Sequence, residues 1–351
     1  MKRIMVFSLF SFCSQVISAC TTFCINKNGQ IVFGRNYDWV TGAGIVNTNQ
    51  RGLFKTSLYT SDGPAATWIS KYGSITFNQF GKEFPTGGMN EKGLVVELMQ
   101  LDGTTYPAAD NRPAVIGLQW IQYQLDNSAT TAELIRSDAQ IRISTRATPI
   151  HFLVADSGGN VATIEFLDGR MTVHKEDDLP FPVLTNNTYA SSVQTANSLV
   201  DKPGILPGNN SLDRFVKACR MLKRYQDSGS NIPVTGFAFS ILDKVAQGSF
   251  TKWSIVYDIS NKQIHFKTET NKNIMTIEFA AFDFACSQPA KMFNMNQEGG
   301  GDVSHHFILP DKKIKQQVMD QVALEGGSRI RINKKQQEDL LLFEYGVSCK
   351  Q

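Results

Sequence analysis

Short β-rich runs punctuated by turn signals dominate the first third of the chain, and helical spacing enters only later. Thr21–Ile25 and Ile31–Phe33 are apolar, β-branched runs separated by Asn26-Lys27-Asn28-Gly29, a hairpin signal. Trp68–Phe77 and Leu94–Leu101 read as further strands, the second apolar throughout except for Glu97 and Gln100. From Val115 to Gln140 the period becomes helical, and Thr130-Thr131-Ala132-Glu133 reads as a capping box opening the second of two helices. Strands return at Ile150–Ala155, Val161–Phe166 and Met171–His174, joined by the turns Ser157-Gly158-Gly159-Asn160 and Asp168-Gly169-Arg170. Ser211–Tyr225 and Phe237–Ala246 are expected helices, Trp253–Ile259 and Gln263–Thr268 a hairpin, and Ile274–Phe279 a strand. A charge-laced helical tail follows at Lys312–Ala323 and Lys334–Phe343. Strands in antiparallel pairs, with helices grouped between them, predict an α+β layered fold rather than strict βαβ alternation. There is no internal repeat, and only 296–302 resembles a linker.

The first nineteen residues stand apart. Met1-Lys2-Arg3 is basic, Ile4–Phe12 is apolar or small, and Val16-Ile17-Ser18-Ala19 leads into Cys20, the layout of a secretory signal. The expectation is a removable leader over 1–19, a single domain over 20–351, and a periplasmic or secreted protein. Loss of Lys2 and Arg3 would take two charges from a formal +3, leaving a nearly neutral protein. With 35 Lys+Arg against 32 Asp+Glu, nucleic-acid binding by bulk electrostatics is excluded. An apolar content of 42 % with 23 Phe excludes a disordered chain. Six cysteines in 351 residues are too few for a disulfide scaffold. Four of them, Cys24, Cys219, Cys286 and Cys349, leave three full pairings open in an exported protein.

Familiar catalytic signatures are missing: no phosphate loop, no dinucleotide fingerprint, no His-Glu-x-x-His, no Gly-x-Ser-x-Gly and no Cys-x-x-Cys. Neither a metal nor a cofactor is implied. Of five histidines, His151, His174 and His265 fall inside expected strands, and His305-His306 in a polar loop. A nucleophilic enzyme built on this sequence would use a base other than histidine.

Cys20 fills that gap if cleavage makes it the first residue. A free α-amino group titrates near 7.7–8.0 and a thiol near 8.5, so one residue supplies both nucleophile and base. Such a site needs a group to hold the amine, a cation near the sulfur and donors for the oxyanion. Gly34-Arg35-Asn36-Tyr37-Asp38-Trp39 lies on the strand expected to pair with that of Cys20. Arg35 and Asp38, three apart, point to opposite faces unless a bend or bulge follows Gly34. A competing reading of Ile17-Ser18-Ala19-Cys20 is a lipobox, in which Cys20 is lipidated and tethers a non-catalytic binding or structural module to a membrane. Lipidation consumes the sulfur, so the two fates exclude each other.

Cys20 at the cleavage point, Gly34–Trp39 and Gly88-Met89-Asn90-Glu91-Lys92-Gly93-Leu94 resemble the choloylglycine hydrolase family of penicillin V acylases and bile salt hydrolases. Leu184-Thr185-Asn186 and Asp213-Arg214-Phe215 resemble two further motifs of that family in order and spacing. The resemblance implies the four-layer αββα fold of N-terminal-nucleophile hydrolases, cleavage of a linear amide and a homotetramer. It makes Cys20 the nucleophile and its amine the base, with Asp38 binding that amine. Arg35 and Arg214 would hold the thiolate, and Asn186 would donate to the oxyanion with help from a backbone N–H. Asn90–Gly93 is a structural turn on this reading. Leu98-Met99-Gln100-Leu101 stands where bile salt hydrolases carry a second asparagine, so Gln100 is a weak candidate for an oxyanion donor. That departure places the chain nearer the Gram-negative penicillin-acylase-like branch, some of whose members cleave N-acyl homoserine lactones. The expected partner is a small amide with an apolar acyl group.

Overall fold

The computed structural model describes residues 20–349 apart from 59, 203, 205–207, 229 and 230. The leader expected over 1–19 lies outside the described residues. Two large sheets stack face to face. In the first, the strand order is Val183–Leu184, Thr21–Lys27, Gln30–Asp38, Thr251–Asp258, Gln263–Thr268, Met275–Glu278 and Gly301–Asp302. In the second it is Arg170–Lys175, Val161–Leu167, Ile150–Ala155, Val95–Gln100, Pro85–Asn90, Ser74–Asn78, Ile45–Asn49 and Met292–Asn294. Helices α1 (Gly117–Asn127) and α2 (Thr131–Arg136) lie on the second sheet's side, and α3 (Tyr189–Leu199), α4 (Ser211–Asp227) and α5 (Val234–Val245) on the first sheet's. The molecule therefore has the four-layer αββα architecture.

Side-chain alternation explains the layers. On Val95–Gln100, Val95 and Met99 join the core between the sheets, whereas Val96 packs with Trp120, Ile121 and Leu125 of α1. On the first sheet, Phe23, Ile25, Phe215, Leu222, Ile241 and Leu242 belong to one cluster that seats α4 and α5. The turn Asn28-Gly29, with φ of 54° and 80°, has the left-handed conformations of a two-residue hairpin and places Thr22 opposite Arg35.

Several expectations need correction. Trp68–Phe77 is not one strand: Thr67–Ile69 pairs with Leu53–Thr56 in a small side sheet, and Ser74–Asn78 enters the second large sheet. Between them the Ser70 hydroxyl bonds to Gln50 O at 2.8 Å and accepts from Leu53 N at 3.0 Å, turning the chain. Pro85–Asn90, which the sequence pattern leaves unassigned, is a wholly buried strand. A Cβ on Gly87 would lie 2.0 Å from Glu97 Oε2, so glycine makes room there for a buried carboxylate. Thr130 caps α2 through Glu133 N, but Glu133 reaches back to Ala129 N, at 2.6 Å, rather than closing the box. Asn90–Gly93 is the structural turn expected, with Asn90 Oδ1 accepting from Lys92 N and Leu94 N at 3.0 Å each.

The tail, α6 (Lys312–Gly326) and α7 (Lys334–Leu342), braces the loop that follows Asp38. Val318, Val322 and Ile330 pack with Ala43, Ile45, Trp39 and Val40, and Glu325 accepts from the Thr41 hydroxyl and Gly42 N–H. Cys286 and Cys349 form a disulfide that ties the end of the tail to the body, while Cys24 and Cys219 remain buried thiols. Because this bond closes a span of 63 residues, replacing both Cys286 and Cys349 by Ser should lower stability by about 2–4 kcal/mol, read as a shifted urea unfolding midpoint.

Candidate active site

Cys20 stands at the mouth of the first hairpin, immediately before the strand Thr21–Lys27, and is almost wholly buried at 2 % exposure. The ladder register pairs Thr22 with Arg35, so these two share the face toward the second sheet, and Thr21 pairs with Asn36 on the helix face. Cys20 continues the Thr22 face. Its Sγ lies 3.9 Å from the Asp38 carbonyl oxygen.

Two buried guanidinium groups flank this cysteine from opposite layers. Arg35 reaches into the gap between the sheets, ion-paired with Glu97 and donating to Leu98 O at 3.1 Å and Thr86 O at 3.3 Å. Arg214, on α4, donates to Cys20 O at 2.5 Å, Thr21 Oγ1 at 2.7 Å and Asn186 Oδ1 at 3.0 Å. An arginine that reads as the solvent face of a helix in sequence is fully buried. Burial opposes the charge on Arg35, and Glu97, together with Cys20, Tyr37 and Tyr257, outweighs it and holds the guanidinium above its ordinary value.

Arg35 and Asp38 face different ways, as their spacing predicts, and the register irregularity of this strand pair is not after Gly34. It lies in the partner strand, between Thr251 and Trp253, beside Asp38. There the Thr251 hydroxyl donates to Asp38 Oδ1, while Oδ2 is buried and has no hydrogen-bond partner among the described residues. Burial lifts the Asp38 carboxyl to about 7, against the pull of the Thr251 bond, Arg214 and Arg35.

Asn186 follows the edge strand Val183–Leu184 and is half-buried. Its N–H donates to Ser211 Oγ at 2.8 Å, its Oδ1 accepts from Arg214, and its Nδ2 donates to Gln100 O at 3.0 Å. The expectation for the Gln100 side chain fails. Gln100 falls on the Val96–Leu98 face, away from Met99 and Glu97, and its Nε2 bonds to Asp102 Oδ1 at 2.6 Å. Gln100 reaches the site through its main chain alone.

Burial pushes the Cys20 thiol up, Asp38 adds to the rise, and Arg35 and Arg214 pull it down. Cys24 has no such cations; burial lifts it to about 12, and Cys219 is raised by the same cause. Of the three described thiols, Cys20 is the one set between arginines. A cavity of about 940 Å³ lined by Cys24, Leu179, Phe181, Cys219 and Leu222 lies at the far end of the same strand and does not include Cys20. Among the described residues, no group of three or more His, Cys, Asp or Glu side chains is placed to hold a metal ion.

A family model for linear amide C–N hydrolases of the choloylglycine hydrolase family matches residues 20–292. The chain belongs to that family. A penicillin V acylase from Pectobacterium atrosepticum is 27 % identical, over 78 % of this chain and 84 % of that one. The structure of penicillin V acylase from Agrobacterium tumefaciens superposes with a TM-score of 0.74 at 24 % identity, covering 83 % of this chain and 98 % of that one. A variant of the conjugated bile acid hydrolase from Clostridium perfringens gives 0.66 at 17 % identity, covering 78 % and 97 %. These two likenesses are of fold. The family match begins at Cys20 and ends at Met292, so α6 and α7 of this amidohydrolase lie beyond it.

Sequence reasoning missed the supporting residues Glu97, Thr251, Thr21 and Ser211. Only Glu97 gave a signal, as a lone carboxylate in an otherwise apolar strand. The Asp38 carboxyl yields a pH prediction for the full-length chain, in which Cys20 follows a peptide bond. Its folded value of about 7 exceeds the unfolded reference of about 3.9, so the folded chain holds a proton that the unfolded chain releases. The stability Asp38 contributes is present below about pH 4 and lost as pH rises to about 7. Urea unfolding across that range should show a smaller decline for Asp38→Asn than for the parent chain.

Proposed function

We propose that this protein is an exported N-terminal-nucleophile amidase in which cleavage after Ala19 frees Cys20 as both nucleophile and base. The observation that carries the reading is the buried Asp38 carboxyl, close enough to act on the Cys20 thiol, whose Oδ2 has no hydrogen-bond partner among the described residues and is an anchor for the α-ammonium that cleavage would create. In that state the amine takes the thiol proton, directly or through a water, as the sulfur attacks the amide carbon. The tetrahedral oxyanion is held by Asn186 Nδ2, which must turn from Gln100 O to the substrate. Collapse breaks the C–N bond; the amine leaves with the proton, and a thioester remains on Cys20. Water then attacks, passing its proton through the α-amino group, and the acid departs with the thiol restored. Arg214 fixes the start of the nucleophile strand through Cys20 O, and Arg35 counters the burial that would keep the thiol protonated.

The acylase relative favours an amide carrying an aryloxyacetyl or similar apolar acyl group, with penicillin V the first compound to test. Conjugated bile acids and N-acyl homoserine lactones complete the panel. The rival reading, lipidation of Cys20, has no use for Arg35, Asp38, Asn186 and Arg214 gathered around that residue.

Three outcomes are expected. The N-terminal peptide of the mature protein should have the mass of an unmodified chain starting at Cys20; a lipid adduct there would overturn the amidase reading. Purified mature protein should hydrolyse at least one amide of the panel. Cys20→Ala should reduce that rate at least about 10⁴-fold without loss of fold, and survival of hydrolysis would remove Cys20 as the nucleophile.

A further inference from the structure

His151 falls on an expected strand, and nothing in its sequence context distinguishes it from a packed core residue. The structure uses both of its ring nitrogens. It is wholly buried on the strand Ile150–Ala155, opposite Met99, on the face toward the first sheet. Nε2 lies 2.7 Å from Thr185 O and Nδ1 lies 3.1 Å from Glu165 Oε1. Glu165 is also fully buried, and its Oε1 accepts from Tyr189 N at 3.0 Å.

These contacts grip one short segment at both ends. The edge strand's last ladder pair is Thr22 with Leu184, after which the chain leaves the sheet. Thr185 is buried, and its carbonyl takes a hydrogen bond from the second sheet through His151. Four residues on, Tyr189 opens α3 and its N–H is held by the same carboxylate that orients the imidazole. Asn186 lies between the two attachment points. Because Nε2 faces a carbonyl, it must carry a hydrogen, and a second hydrogen, held between Nδ1 and Glu165 Oε1, fixes the ring so that the first points at Thr185.

We propose that His151, oriented by Glu165, is a positioning residue that holds Asn186 in register for oxyanion stabilisation. This rests on the amidase reading above. The ring touches neither Cys20 nor the reacting atoms; it acts by fixing the backbone one residue before the donor. An amide donor displaced by a fraction of an ångström contributes much less to a developing oxyanion.

The test is a double-mutant cycle on the mature enzyme with penicillin V, or whichever panel amide the parent cleaves. His151→Leu should lower kcat about 10–100-fold with KM within about twofold, and Asn186→Ala about 10²–10³-fold. The double variant should be no slower than Asn186→Ala alone, because His151 acts through that residue. His151→Gln, whose terminal amide sits near the Nε2 position, should recover most of the rate. Alkylation of Cys20 by iodoacetamide needs no oxyanion hole and should stay within about twofold in the His151 variants. Fully multiplicative losses in the double variant, or an unchanged kcat in folded His151→Leu, would overturn the proposal. If His151→Leu does not fold, His151→Asn, which is too short to reach Thr185 O, takes its place in the same cycle. A parent enzyme that cleaves no amide, or one unaffected by Cys20→Ala, would instead overturn the amidase reading and this role with it.

Discussion

The Arg214 guanidinium, buried on α4, donates to the carbonyl of Cys20, the hydroxyl of Thr21 and the side-chain oxygen of Asn186. Two stretches of chain more than 150 residues apart, Cys20-Thr21 and the turn at Asn186, therefore meet on one planar fork. A buried arginine is tolerated only when its hydrogens are satisfied and a negative group is near. Those partners are the groups the proposed chemistry needs in place. The placement of Cys20 relative to Asn186 is thus set by one planar guanidinium that bonds to both.

A second buried arginine does the same work from the opposite layer. Arg35 projects into the gap between the sheets and needs a carboxylate there, which Glu97 supplies with Tyr257 donating to its other oxygen at 2.5 Å. Glu97 in turn occupies space that any side chain on Gly87 would fill. The succession from Cys20 to Arg35 to Glu97 to Gly87 carries the need for a charged group beside Cys20 into the backbone of a neighbouring strand. The arrangement costs burial of charge, and the sheet packing on either side must hold its partners together. The tail adds a third constraint, since α6 fixes the loop leaving Asp38 and the disulfide fixes the tail.

Much of the fold was legible because it depends on local rules. The hairpin at Asn28-Gly29, the paired strands from Ile150 to His174, and helices α4 and α5 all appear where side-chain period and turn chemistry place them. The errors share a cause. Pro85–Asn90 goes unassigned because its glycines, which make room for the facing strand, interrupt the apolar pattern of a strand. Trp68–Phe77 looks continuous because apolar alternation does not register a change of sheet. The site divides the same way. Cys20, Arg35, Asp38, Asn186 and Arg214 do converge around the start of one strand, whereas Gln100 was misjudged by one step of alternation that puts its amide on the helix side.

By itself the sequence determined the period of each element, the cysteine that follows a leader-like segment, and an ordered set of motifs that resemble one family. Those are properties of neighbours along the chain, and short-range patterns carry them. The tertiary structure alone decided which arginine pairs with which carboxylate, that Asp38 keeps a buried oxygen without a partner, and that His151 reaches across the sandwich to the residue before Asn186. It also decided the cysteine chemistry: Cys286 bonds to Cys349 while Cys24 and Cys219 stay thiols, so none of the three full pairings that counting left open is formed. Such choices depend on which faces of distant strands are brought together, and that is fixed by packing two sheets and their helices at once.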